Sequence, residues 1–407
     1  MTVSLEWIAD GDLLSVPGWR GSAVRCGIKP SGALDLALLR ADAPCPAAAV
    51  FTRNALPAAC VTVGRETLAR SASLRSIAVN SGNANAMTGA AGERDARRMA
   101  QLVEDACGGP VIALSTGVIG VPLPMDRIEE GVAAASASLA RDGHDVADAI
   151  LTTDTVRKTC AVEVELPPHG GVDARRVRVG GMAKGSGMIH PDMATMLAFV
   201  ATDAPVDAAV LREMLVRAND ASFHEITVDG DTSTNDTVLL LAGPGTENTI
   251  TSEDPRLGPL ETAITAVMQR LARAIVLDGE GRTRVMELVV EGAADRDDAR
   301  RVAETVACSS LVKTALAGGD PNWGRIVAAA ANAGVALEGE RLSLDICGMR
   351  VFEAGLPTEV DAARLDAAFS DEEVRVVLTL GDGPGRARRW TTDLSAEYVR
   401  INSEYTT

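Results

Sequence analysis

The chain has 407 residues, 46% apolar but only 3% aromatic, so Ala, Val and Leu must fill most of its core. That length exceeds what one simple core usually holds and predicts two domains. A formal net charge of −17 argues against a nucleic-acid partner, whose phosphates would be repelled, and otherwise serves solubility.

Short apolar runs alternate with amphipathic helices along the chain. Ser76–Asn80 and Val111–Ser115 read as buried strands. Between them Ala96, Met99, Leu102, Val103 and Ala106 recur at helical spacing, and Gly108 supplies a stop. Asp126 is expected to cap a helix running to about Arg141, and Asp207 another with Leu211, Met214, Leu215 and Ala218 on one face. Val238–Leu241 reads as a strand. A longer helix is predicted from Leu260 to Leu277 through Ile264, Val267, Met268, Leu271 and Ile275. Strands follow at Met286–Glu291, Leu342–Cys347 and Val374–Leu380, with turn chemistry at Gly381–Gly385. Mixed helices and strands indicate an α/β or α+β protein. A composition shift near Asp278–Gly281 divides it into a main domain, 1–280, and a smaller C-terminal domain, 281–407.

The seven cysteines (Cys26, Cys45, Cys60, Cys107, Cys160, Cys308 and Cys347) are odd in number and contain no C-x-x-C pair. They read as small buried hydrophobes in a reducing compartment. The N-terminus has no basic segment followed by an apolar stretch, and no apolar run reaches membrane-spanning length, so a cytoplasmic protein without a membrane partner is expected. Nucleophile elbows, H-E-x-x-H, Walker A and complete G-x-G-x-x-G patterns are missing. Asp229–Asp236 loosely resembles a calcium loop but has Thr234 where an EF-hand needs Gly and Leu240 where it needs Glu, so no metal is expected. The four histidines are dispersed and His169 reads as a loop tip, which favours a mechanism whose base is not histidine.

One run stands out: Lys184-Gly-Ser-Gly-Met-Ile-His-Pro-Asp-Met-Ala-Thr195-Met-Leu-Ala-Phe199, a Gly-rich polar turn leading into an apolar stretch. By residue chemistry alone Thr195 reads first as a β-branched residue opening a buried strand. The run resembles the ornithine acetyltransferase family, the bifunctional glutamate N-acetyltransferases of arginine biosynthesis. Nine further segments match in order: Gly27–Gly32, Val50–Asn54, Asn80–Asn85, Ser115–Gly120, Leu151–Asp154, Asp229–Asp236, Leu311–Thr314, Asp320–Arg325 and Asn402–Thr407.

The resemblance implies self-cleavage between Ala194 and Thr195, giving an α chain 1–194 and a β chain 195–407 that stay associated as a heterotetramer of two α and two β chains. It implies an α/β sandwich like that of self-cleaving aminopeptidases, with a smaller C-terminal α/β domain whose tail completes the pocket. It implies Thr195 as nucleophile, Thr116 and Gly117 as oxyanion hole, and Thr153, Lys184, Thr195, Glu280, Asn402 and Thr407 as substrate contacts. The implied substrates are N2-acetylornithine and glutamate. No cofactor is implied, with acetyl-CoA a candidate co-substrate.

Residue chemistry is consistent with those roles. A threonine hydroxyl needs a nearby base, and a free α-amine, with a pKa of about 7.7–8, is suited to the task whereas an amide is not. Lys184 can hold a substrate carboxylate and depress the amine pKa, and Glu280 suits a ligand ammonium. Three places depart from the family pattern: Ser222-Phe-His224-Glu225, which leads toward the pocket but is explained first by core or surface packing; Gly281-Arg282-Thr283-Arg284 after Glu280; and Asp192 beside the cleavage run. A related acyltransferase or amidohydrolase, and a non-catalytic metabolite-binding paralogue, stay open as alternatives.

Overall fold

The computed structural model describes residues 3–140, 144–190, 196–245 and 248–404. Its larger sheet has nine strands. Eight lie in the spatial order Leu5–Ile8, Lys158–Leu166, Arg175–Lys184, Leu197–Thr202, Thr237–Leu241, Leu36–Phe51, Ser73–Asn83 and Val111–Val118. Trp19–Val24 pairs with the Leu36–Phe51 strand as a ninth.

The 16-residue strand Leu36–Phe51 spans two leaves of this sheet. Residues 47–51 pair with Thr237–Leu241, whereas residues 36–40 pair with Ser73–Asn83. The register breaks between Arg40 and Cys45, where Pro44 and Pro46 cannot donate to a ladder. Strand periodicity then assigns faces. Leu197, Phe199 and Ala201 join Ile77, Val79, Ile112 and Leu114 in one buried cluster between the leaves. Ala198 and Val200, pointing the other way, pack with the helices Ala208–Asp220 and Leu257–Leu277. The helices Gly89–Cys107 and Met125–Ala137 cover the outer face of the second leaf through Met99, Val103, Ile128 and Val132. The result is a four-layer helix–sheet–sheet–helix sandwich, as the resemblance implied.

A second sheet of seven strands starts at Val285–Ala293 and is covered by the helices Arg296–Ala307, Ser310–Gly318, Trp323–Ala331 and Ala362–Phe369. It also recruits Ile226–Thr227, which runs parallel to Trp390–Thr391. His190 adds a further tie between the halves. Its Nε2 lies 3.2 Å from Glu304 Oε1, and its Nδ1 faces Cys308 Sγ at 3.7 Å.

The strands predicted at Val238–Leu241, Met286–Glu291, Leu342–Cys347 and Val374–Leu380 form within two residues of their expected bounds, whereas those at Ser76–Asn80 and Val111–Ser115 and the helix Leu260–Leu277 are longer by three residues at one or both ends. Asp207 caps its helix, accepting from the amides of Ala209 and Val210. Asp126 does not: it lies in the first turn of Met125–Ala137, where Pro124 occupies the cap position. That helix also stops early, because Ala140 leaves it to bridge Gly21 in the sheet; Arg141 lies outside the described residues.

Two predictions follow from this packing. Phe199 is fully buried between the leaves, so Phe199→Ala should cost about 3–5 kcal/mol in urea-unfolding stability. Burial alone would lower the His190 pKa, but hydrogen bonds to Cys308 and Glu304 outweigh it and raise it from 6.5 to about 9. A raised folded-state value stabilises the fold below the unfolded pKa. The stability difference between wild type and His190→Gln should therefore be greatest below pH 6.5 and fade as pH rises through about 9, as followed by denaturation at each pH.

Candidate active site

Thr116 and Gly117 lie at the end of the strand Val111–Val118, which runs parallel to Ser73–Asn83. Gly117 has φ +132°, and a Cβ there would lie 2.4 Å from the carbonyl carbon of Gly82. Only glycine fits this approach. The side-chain amide of Asn235 holds the strand end, donating to Ser115 O at 2.8 Å and Ala84 O at 2.7 Å. The end of the strand is thus fixed by contacts from two separate segments, Gly82–Ala84 and the loop bearing Asn235.

Lys184 ends the strand Arg175–Lys184, which pairs with Leu197–Thr202 elsewhere in the sheet, and is buried, with its Nζ donating to Thr152 Oγ1 at 2.6 Å. Behind it lies Asp154, whose carboxylate accepts from Gly185 N at 2.6 Å, Thr152 N at 3.0 Å and Lys158 Nζ at 2.7 Å. Lys158 in turn donates to Asp278 at 2.6 Å. Asp278 follows the helix Leu257–Leu277 and immediately precedes Gly279-Glu280. A buried relay of charge, Lys184–Asp154–Lys158–Asp278, therefore positions both an ammonium and the turn that bears Glu280.

Electrostatics reflects the same relay. Burial would raise the Asp154 carboxyl, but the ammoniums of Lys184 and Lys158 outweigh it and hold it below the usual range. Burial lowers the Lys184 ammonium from an ordinary lysine value, opposed by Asp154 and Glu280.

The C-terminal helix Ala396–Glu404 completes the cleft. Asn402 Nδ2 donates to Glu280 Oε2 at 2.9 Å, and the Tyr398 hydroxyl donates to Asp229 Oδ2 at 3.1 Å. Gly281, at φ +62°, lets the helix seat: a Cβ there would lie 2.4 Å from Tyr398 N.

Thr116, Gly117, Thr153, Lys184, Glu280 and Asn402, expected from five distant parts of the sequence, all line this one cleft. Its cavity volume is about 120 Å³. Ala194, Thr195, Asp192 and Thr407 lie outside the described residues. The chain resumes at Met196, and Leu197 sits opposite Lys184 in the sheet register, so the strand following residue 195 starts beside the Lys184 wall.

The Ser222–Glu225 departure lies elsewhere. His224 bonds Asp220 at 2.9 Å and Glu225 bonds Arg388 at 2.8 Å, along separate surface hollows. Arg282, Thr283 and Arg284 are structural ties, to Glu372, Asp393 and the carbonyls of Leu316 and Ala317 respectively.

Sequence reasoning missed Thr152, Asp154, Lys158 and Asp278 as a supporting set, and Tyr398 as a clasp. Asp229 and Asp231, noted only within a polar loop, also line the cleft. The Asp229 carboxylate receives the amides of Met188 and Ile189, and burial raises its pKa. Among the described residues no cluster of His, Cys, Asp and Glu is arranged to hold a metal ion.

The cleft thus offers one buried ammonium at Lys184, a half-buried carboxylate at Glu280 and a glycine-shaped strand end. Such a surface suits a small molecule carrying one carboxylate and one cation. Lys158→Met should leave two buried carboxylates short of a cation and lower unfolding free energy by about 3–5 kcal/mol in chemical denaturation.

The ArgJ family model matches residues 20–407. The arginine biosynthesis bifunctional protein ArgJ of Gloeobacter violaceus is 46% identical, over 99% of each chain. The protein of the same name from Parasynechococcus marenigrum is 46% identical over 98% of this chain and 96% of its own. The crystal structure of the Bacillus halodurans arginine biosynthesis bifunctional protein is 37% identical, covering 51% of this chain and 98% of that one with a TM-score of 0.49. With a match over nearly its whole length, and relatives of this identity, the chain belongs to the ArgJ family.

Proposed function

We propose that the cleft transfers an acetyl group from N2-acetylornithine to glutamate through an acetyl ester on Thr195, as a step in arginine biosynthesis. The observation that carries this reading is the convergence of Thr116, Gly117, Thr153, Lys184, Glu280 and Asn402 on one cleft beside the strand that follows residue 195. The curated relatives are named for arginine biosynthesis and for two functions, which supports the pathway.

The chemistry runs in two halves. Cleavage before Thr195 creates an α-amine whose pKa of about 7.7–8 lets it take the hydroxyl proton at neutral pH. The alkoxide attacks the acetamide carbonyl, and Thr116 and Gly117 receive the oxyanion. The tetrahedral intermediate collapses, the C–N bond breaks, and ornithine leaves with the proton from the amine. Glutamate's amine then attacks the ester, releases N-acetylglutamate and returns the proton to the threonine oxygen. Lys184 is suited to a substrate α-carboxylate, and Glu280 with Asn402 to the distal ammonium of ornithine. Acetyl-CoA would enter as an alternative donor to the same Thr195.

The sheet explains how two cleaved chains would stay together. Leu197–Thr202 and Thr237–Leu241, from the β chain, lie between Arg175–Lys184 and Leu36–Phe51 of the α chain. Separation would break two ladders and expose the core between the leaves. Association of two such pairs into a heterotetramer is the assembly we assign. Seven free cysteines, and no described helix long and apolar enough to cross a membrane, are compatible with a cytoplasmic enzyme.

Thr195→Ala should give a single uncleaved chain without acetyl transfer, read by denaturing mass analysis and by an N-acetylglutamate assay. Wild type should release ornithine from N2-acetylornithine rapidly only when glutamate is present. Equal release in water alone would make the protein a hydrolase, and robust transfer by Thr195→Ala would end the proposal.

A further inference from the structure

A second constellation of reactive side chains stands apart from the cleft, where the two halves of the fold meet. His190, in the loop after Arg175–Lys184, lies against Glu304, in the last turn of the helix Arg296–Ala307, and Cys308, which caps that helix. Its Nε2 faces the Glu304 carboxylate at 3.2 Å, and its Nδ1 faces Thr227 Oγ1 at 3.3 Å and Cys308 Sγ at 3.7 Å. The Thr227 hydroxyl gives its own proton to Ile189 O at 2.9 Å, so toward the ring it only accepts. A carboxylate only accepts as well. Both ring nitrogens therefore carry a proton, and the Nδ1–H of this imidazolium is shared between oxygen and sulfur. Burial opposes the charged ring, but the hydrogen bonds to Cys308 and Glu304 outweigh it.

The sulfur is within reach of small molecules. Cys308 is half-buried, and the loop beside it carries Gly230, on which a Cβ would meet Sγ at 3.7 Å. Glycine leaves that flank uncovered. Two further cations, Lys313 and Arg389, act on Cys308 through space from the helix Ser310–Gly318 and the strand Gly385–Thr392. The other six thiols differ. Burial pushes each of them up, so that the thiolate, the reactive form of cysteine, is scarce there.

We propose that Cys308 is a modification site for small hydroperoxides, with His190 as the acid that serves it. The thiol first releases its proton to solvent, and the sulfur then attacks one oxygen of the peroxide. An S–O bond forms as the O–O bond breaks: sulfur is oxidised to a sulfenic acid and the peroxide is reduced. The departing oxygen takes the Nδ1 proton of His190 and leaves as water or an alcohol. The ring regains a proton from solvent while Glu304 holds it in place through Nε2. The site stands independently of the Thr195 reading.

The test treats the purified full-length protein with hydrogen peroxide and dimedone, which traps sulfenic acids, and follows each cysteine by peptide mass analysis. Cys308 should gain the adduct about tenfold or more faster than Cys26 or Cys347, the other two half-buried cysteines. Cys308→Ser should lose it. His190→Gln separates activation from packing: glutamine reaches as far as Nε2 to meet Glu304 but offers nothing at Nδ1. Were His190 there for packing alone, its loss would uncover the sulfur and speed the reaction. The expected result is instead a fall of about tenfold or more at Cys308, in a variant whose near-ultraviolet circular dichroism matches wild type. Should His190→Gln not fold, Glu304→Gln, at the 44% exposed end of the array, is expected to slow the reaction about threefold or more. Labelling of Cys308 no faster than that of Cys26 and Cys347 would overturn the proposal, as would an unchanged or faster rate in the folded variant.

Discussion

The cleft depends on one buried carboxylate. Asp154 accepts two backbone amides and an ammonium, with a second ammonium 3.8 Å away at Lys184. None of these groups can leave without stranding another in low dielectric, where an unpaired ion costs several kcal/mol. The four side chains of the relay therefore order together. Lys184 is held before any ligand arrives, and so is the turn carrying Glu280, because Asp278 is the last member of the relay. Fixed charge of this kind needs no reorganisation when a ligand or a developing oxyanion arrives.

That constraint also explains how the two halves of the fold cooperate. The large sandwich supplies Thr116, Gly117, Thr153 and Lys184 from strand ends and the loops that follow them. The C-terminal part supplies a helix that reaches back over them. Its hold is local: Gly281 admits the helix backbone, Tyr398 reaches Asp229, and Asn402 reaches Glu280. Terminal segments usually fray; here the described part of the helix is tied down at three points along the cleft.

Secondary structure was largely legible because the periodicities are strong. Short continuous apolar runs marked strands such as Val111–Val118, and apolar spacing marked Leu257–Leu277. The misreading at Asp126 has a specific cause: a proline occupied the cap, and a bridge to Gly21 drew the chain out of its helix. The Ser222–Glu225 segment leads toward Asp229 but reads first as packing, and packing is what it does. It turns away because His224 and Glu225 find partners in Asp220 and Arg388, which no local pattern reveals.

By itself the sequence determined the element types, the family motifs and six of the residues lining the cleft, because each of those signals lies within a few consecutive positions. It could not show that Lys158 and Asp278, 120 residues apart, bond inside the protein, or that Tyr398 would clasp Asp229. Those facts arise only when distant segments exclude water together: a charge is harmless in a solvated chain and demands a partner once buried, and the partner's identity is decided by which strands and turns close around it.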